Sequence, residues 1–131
     1  MPSVLPIAGI GASLSNAGSD LDEVAAQLDE LGALGADSAE FYASSLGIVV
    51  AGRPIPARAA RLRAICSARP LAYSIHAPIP INPMDRAQPE LHRRAMNGSV
   101  ALAAEIGADV VVIHAGRATP EQWAGDADAL L

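Results

Sequence analysis

The chain contains no lysine, a single cysteine and hardly any aromatic residues, and each shortage excludes something. Arginine supplies all 9 positive charges against 14 carboxylates, for a formal charge of −5. Nucleic acid is therefore an unexpected partner, because gripping it needs a positive surface, although a local arginine patch can still hold a phosphate. Arginine alone, beside abundant alanine, reflects a bias toward GC-rich codons more simply than it reflects a function. Cys66 has no partner in the chain, so no internal disulfide forms and nothing requires an oxidising compartment. It shares a helical face with Ala59, Leu62 and Ile65, the pattern of a small buried hydrophobe rather than a nucleophile.

Aromatic residues are 3% of a chain that is 51% hydrophobic, so the core must be assembled from Ala, Val, Leu and Ile. No uninterrupted apolar run approaches the roughly 18 residues of a membrane-crossing helix, and no membrane partner is expected. The opening Met1-Pro2-Ser3-Val4-Leu5-Pro6 has no basic segment and an early proline. No signal peptide is expected there, and the expected location is cytoplasmic. The 131 residues suffice for one domain with a real core and not comfortably for two.

What the chain does have is a regular alternation of strand and helix signals. An apolar run over 4–10 ends at Gly11 and a small-residue loop through Gly18. Ser19 or Asp20 then caps a helix whose first turn holds Asp22 and Glu23, favoured by the helix dipole. Leu21, Val24, Ala25, Leu28 and Leu31 recur at helical spacing, and Gly32 or Gly35 can end the helix. A second strand is expected over 37–42. Residues 43–56 are the least regular: Ile48-Val49-Val50 fits a short extra strand or part of a long loop covering the site, closed by Pro54 and Pro56. The second helix, 57–68, places Ala59, Leu62, Ile65 and Cys66 inward and Arg58, Arg61 and Arg69 on a solvated face.

A third strand over 71–77 leads into a proline-stiffened loop over 78–85. Pro89 suits the first turn of a long helix that Gly107 ends, with Leu91, Ala95, Leu102, Ala103 and Ile106 as its buried stripe. The fourth strand, 109–115, holds an unbroken Val110-Val111-Val112-Ile113, as a parallel strand covered on both faces should. Thr119, Pro120 and Gln122 agree on the start of a fourth helix. The pattern is β-α four times over, without a linker. Leu34-Gly35-Ala36-Asp37 and Ile106-Gly107-Ala108-Asp109 repeat the turn from helix to strand.

Chemistry enters at two histidines. His76 and His114 each close an apolar strand and precede a breaker, in Ser74-Ile75-His76-Ala77-Pro78 and Val112-Ile113-His114-Ala115-Gly116. The carboxyl edge of a parallel sheet is where ligands and metals bind. Strand alternation groups Ala72 and Ser74 with His76, Val110 and Val112 with His114, and Ser38 with Glu40. Adjacent strands lie about 4.8 Å apart. The two imidazoles can therefore reach one metal, or two metals ~4 Å apart. The alternative is that each is a polar side chain satisfied by backbone at a strand end; two equivalent positions on successive strands weigh toward a site. His92, beside Arg93 and Arg94 on a helix, is expected to be exposed.

These residues carry a resemblance. Val112-Ile113-His114-Ala115-Gly116, the run His76-Ala77-Pro78-Ile79-Pro80-Ile81-Asn82 and Ser38-Ala39-Glu40-Phe41 resemble the xylose isomerase-like TIM-barrel superfamily. That group contains sugar-phosphate isomerases and epimerases, and also apurinic endonucleases of the endonuclease IV type. The resemblance implies an α/β fold, the parallel (β/α)4 half of a TIM barrel. Residues 1–131 would be a single partial barrel domain lacking the C-terminal four βα units. In the endonuclease branch the matching histidines bind zinc, which implies metal roles for His76 and His114; here His-Ala-Gly stands where that branch has His-Pro-Gly. In the isomerase and epimerase branch the metal is held mainly from strands five to eight, and the matching histidines line the substrate pocket. The resemblance further implies substrate contacts for Glu40, which matches an acidic residue at the end of strand two, and for Asn82.

The expected activity is thus that of a sugar or sugar-phosphate isomerase or epimerase, moving a proton between adjacent carbons with a divalent metal, Zn, Mn or Mg. The acid and base would come from the absent half of the barrel. A zinc-dependent apurinic endonuclease fragment is the rival, and acidity argues against it. A third reading is a non-catalytic half-barrel that acts through assembly, because a free half leaves unpaired sheet edges and an exposed face of Ala, Val and Ile. The partners expected are a small sugar or sugar phosphate and a second chain completing the barrel.

Overall fold

The computed structural model describes residues 9–14 and 18–121. Its elements are β1 (Gly11–Ser13), α1 (Leu21–Ala33), β2 (Ser38–Tyr42), β3 (Val49–Val50), β4 (Arg53–Pro54), α2 (Pro56–Ser67), β5 (Ala72–His76), α3 (Pro89–Ile106) and β6 (Val110–Val112). Pro120 and Glu121 begin the expected fourth helix, whose remainder lies outside the described residues. So do residues 4–8 of the expected first strand. The strand that is described, Gly11–Ser13, starts where that run was expected to stop. Gly11 serves there as a strand residue in close approach, because a Cβ on it would collide with the Ser38 hydroxyl.

Local chemistry sets the helix ends. The Asp20 carboxylate caps α1 by accepting from Asp22 N–H, and Gly35 turns the chain at φ +82° after the helix. Pro56 opens α2 and Pro89 opens α3, where a missing N–H costs nothing. Gly107 closes α3 in the left-handed conformation, φ +73°.

The main sheet has the order β1-β2-β5-β6, and every pair is parallel. The order never reverses, so successive right-handed crossovers carry every helix to the same side. A doubly wound sheet, with helices on both faces, is thereby excluded for this unit. The core lies between that side and the helices: Ala39 and Phe41 from β2 and Tyr73 and Ile75 from β5 pack on Leu28 of α1, Leu62 of α2 and Leu102 of α3. Phe41 and Tyr73 stack with ring centroids 5.6 Å apart.

The opposite face is the inner wall of the half-barrel, and its residues are those the strand alternation selected. It is less apolar than expected, with Ser13, Ser38, Glu40 and Ser74 lining one shallow cavity. Valines appear only toward β6, where Val110 is 53% exposed. The expectation that β6 is covered on both faces is therefore wrong: Val111 packs against the core, while no helix among the described residues lies over the inner wall. Leu91 also departs from its expected place in the buried stripe. It is half exposed near the start of α3, before that helix settles onto the core at Gly98 and Ser99.

Within residues 43–56 the short extra strand is the alternative the structure realises, over Val49–Val50 and without Ile48. Ala43, Leu46 and Ile48 are buried in the core, and Val49–Val50 pairs antiparallel with Arg53–Pro54 as a small hairpin. The hairpin docks on α3 glycine to glycine. A Cβ on Gly98 would come within 2.7 Å of Val49 Cγ1, and one on Gly52 within 2.6 Å of the Arg94 carbonyl.

The arginines of α2 are not merely a solvated face. Arg58 donates to the carbonyls of Ser19 and Leu46, Arg61 pairs with Asp22 of α1, and Arg63 pairs with Glu105 of α3. Neighbouring helices in one layer lie only about 8–10 Å apart. Side chains that slant off the outward face therefore meet the next helix.

Candidate functional site

His76 ends β5 and is held from several directions. Its carbonyl accepts from Ala43 N–H at 3.0 Å, and Ala77 N–H continues the ladder to the Val112 carbonyl at 2.9 Å. Its ring stacks on Tyr42 with centroids 4.9 Å apart. Nδ1 lies 3.3 Å from Glu40 Oε1, an oxygen that also accepts from the Ser13 hydroxyl at 2.9 Å. An ionised carboxylate can only accept, so the proton of a neutral His76 ring sits on Nδ1 and Nε2 keeps a bare lone pair.

That Nε2 faces Nε2 of His114 at 3.3 Å, with the rings edge to face at 68°. The two histidines therefore converge, and His76 is only 15% exposed. Zinc–imidazole bonds of about 2.0–2.1 Å at a tetrahedral angle set two ligand nitrogens about 3.3 Å apart. The 3.3 Å separation matches that spacing, and it is equally a hydrogen bond from a protonated His114 Nε2 to the bare His76 nitrogen. Glu40 sits behind His76 on the other ring nitrogen, in the outer position that orients a metal-binding histidine. Among the described residues no group of three or more His, Cys, Asp or Glu is arranged to hold a metal.

His114 opens onto a cleft of about 510 Å³ between the loops that follow β5 and β6, lined by Ile79, Pro80, Ile81, Asn82, Gly116 and Arg117, among others. Asn82 stands on one wall with most of its amide engaged: Nδ2 donates to the Arg117 carbonyl, and Oδ1 accepts from the N–H groups of Arg117 and Met84. Its second Nδ2 hydrogen meets no acceptor among the described residues. Another cavity of about 420 Å³, between the hairpin and α3, contains none of Glu40, His76, Asn82 and His114.

Among the solved structures, endonuclease IV from Thermus thermophilus superposes on the chain with a TM-score of 0.65 at 29% identity, covering 94% of this chain and 46% of its own. In fold and in sequence the chain is similar to the xylose isomerase-like TIM-barrel superfamily, to which that endonuclease belongs. It spans about half the length of its endonuclease relative, as four of eight βα units of that superfamily's barrel should. No protein-family model matches the chain, and no curated protein matches it in sequence. No helix among the described residues is long and apolar enough to cross a membrane.

Sequence reasoning passed over three participants. Tyr42 shares the inner face with Ser38 and Glu40, so carrying strand alternation one step further would have found it. Ser13 lay beyond the expected end of its strand. His92 was expected to be exposed, and the structure corrects this: its side chain is 16% exposed, with Nε2 3.0 Å from Asp85 Oδ2 and Nδ1 accepting from Asn82 N–H at 3.1 Å. The loop over 78–85 folds back on the first turn of α3, a contact that no periodicity signals.

Proposed function

We propose that the chain is one half of a metal-dependent sugar or sugar-phosphate isomerase or epimerase, with His76 and His114 as two ligands of a divalent ion. The observation that carries this reading is the 3.3 Å approach of their Nε2 atoms, with Glu40 holding His76 in the metal-binding tautomer. Of zinc, manganese and magnesium, imidazole ligands favour zinc, since the other two prefer oxygen ligands. A metal bound there would supply Lewis-acid stabilisation of negative charge developing on a substrate oxygen.

The chain's own residues would bind and orient. A cleft of about 510 Å³ is of the size that takes one small molecule. Arg117 at its edge offers a guanidinium to a phosphate. Asn82 has its spare N–H for a sugar hydroxyl, and Glu40 contributes from behind His76. The acid and base that move the proton would come from the other half of the barrel. That half would be supplied by further sequence or by a second chain, which makes residues 1–131 a partial barrel domain.

The likeness to endonuclease IV favours a second reading, a zinc-dependent apurinic endonuclease half-site on the same two histidines. The net charge of −5 opposes it, since a DNA-cutting surface must neutralise phosphates.

Metal titration of the full chain, followed by calorimetry with zinc and manganese, tests the shared claim. Wild type should take up one equivalent, and the His76→Ala/His114→Ala variant should not. Equal uptake by both would end the metal reading. Turnover of pentose or hexose phosphates, without affinity for DNA, supports the first reaction; salt-sensitive binding to an abasic duplex replaces it with the second.

A further inference from the structure

We infer that Asn82 is a positioning residue that clips the loop after β5 to the loop after β6 and so holds His114 against His76. The functional weight of this inference rests on the metal reading above, but its geometric content does not. His114 lies beyond the end of β6 and has no ladder partner among the described residues to fix it, whereas His76 is still within β5. Something else must set the distance between the two rings.

The clip works through both ends of one amide. Asn82 Nδ2–H donates to the Arg117 carbonyl at 2.9 Å, and Arg117 N–H donates back to Asn82 Oδ1 at 2.9 Å. The side chain thus imitates a strand neighbour for a backbone three residues after His114. Gly116 makes the approach possible. It sits at φ +93°, and a Cβ there would overlap Asn82 Oδ1 and lie 3.1 Å from Pro83 Cδ.

Asn82 is in turn braced from α3. Its N–H donates to His92 Nδ1 at 3.1 Å, and His92 Nε2 meets Asp85 Oδ2 at 3.0 Å. Asp85 N–H returns to the Asn82 carbonyl at 3.0 Å, closing the loop on itself. The His92 hydrogen bond, with the Ala87 N–H beside it, holds the Asp85 carboxyl below the usual carboxylate range. Both backbone groups of Asn82 are therefore fixed before its amide reaches Arg117. A merely space-filling residue would need neither of them.

The test is proton NMR of the metal-free full chain, reading the ring signals of His76 and His114 and the cross-relaxation between them, with cobalt(II) titration and Tm alongside. Asn82→Ala should abolish the ring-to-ring signal and shift the His114 resonances, while the contact of His76 with Tyr42 remains. Its cobalt affinity should fall about 10–100-fold, the usual loss when an outer support is removed. Asn82→Asp keeps the acceptor for Arg117 N–H but not the donor, and should fall between. Unchanged His114 resonances in Asn82→Ala overturn the inference, whatever the metal does. Should Asn82→Ala fail to fold, Gly116→Ala probes the same contact from the other loop: displacement of His114 supports the clip, and an undisturbed ring pair overturns it. A wild type that takes no cobalt sinks the metal reading instead, and the ring signals still decide the role of Asn82.

Discussion

Arg69, just beyond the end of α2, grips both carboxylate oxygens of Asp29 on α1, Nε to Oδ1 at 2.8 Å and Nη2 to Oδ2 at 2.9 Å. The same guanidinium donates to the carbonyls of Ile65 and Ala25. A planar fork on a carboxylate is the geometry in which a surface pair does most. Hydrogen bonding from Arg69 holds the Asp29 carboxyl below its ordinary value. A carboxylate with a depressed folded pKa contributes stability that is present above its unfolded pKa and lost as pH falls through the folded one. Arg69→Ala should therefore lower Tm by a few degrees at neutral pH. The deficit should shrink below about pH 3.9, where the unfolded carboxyl is protonated. Thermal melts across pH 2.5–7.5 (roughly the span of the carboxylate titration) check this; a deficit independent of pH refutes the role of Asp29.

Glu40 is proposed to hold His76 in one tautomer. Glu40→Ala should weaken zinc or cobalt binding about 10–100-fold, while Glu40→Gln, whose amide oxygen still accepts, should lose less. Calorimetric titration of both variants decides it, and an unchanged affinity in Glu40→Ala would refute the tautomer argument.

Two glycines should respond in opposite directions to the same methyl. Gly52, at φ +79°, would bring a Cβ within 2.6 Å of the Arg94 carbonyl, so Gly52→Ala should destabilise by about 2 kcal/mol through strain and the displaced hairpin. Gly32 lies within α1 with nothing within 4 Å of a built Cβ. Gly32→Ala should stabilise by about 0.5–1 kcal/mol, mostly by restricting the unfolded chain. Urea unfolding of the pair gives both signs, and a neutral Gly52→Ala would show that the hairpin yields.

Burial pushes the Cys66 thiol up to about 12, outweighing the nearby Arg69 charge that pulls the other way. The thiolate is the reactive form. An aromatic disulfide reagent at pH 8 (about where an ordinary thiol begins to ionise) should leave the native chain unlabelled and modify it stoichiometrically in denaturant. Fast native labelling would mean that α2 detaches from the core.

How much could be read beforehand differs by the kind of signal. The end of α3 at Gly107 was legible because a left-handed cap leaves a glycine in the chain. The inner-wall set of Glu40, Ser74 and His76 was legible because strand alternation has a period of two and admits no ambiguity once one member is placed. The roles of Arg69 and His92 were not. Both were expected on a solvated surface, and both are engaged from outside their own helix, by Asp29 of α1 in one case and by the loop before α3 in the other.

The amino-acid sequence by itself determined the alternation of strands and helices, the faces that each strand presents and the two imidazoles at one edge, because these follow from local periodicity and from breakers. Only the tertiary structure decided that the rings meet at 3.3 Å, that Glu40 stands behind one of them and that Asn82 spans two loops. Those distances depend on how far neighbouring strands are staggered and on how the loops fold back. Long-range packing fixes such quantities, and no local pattern encodes them.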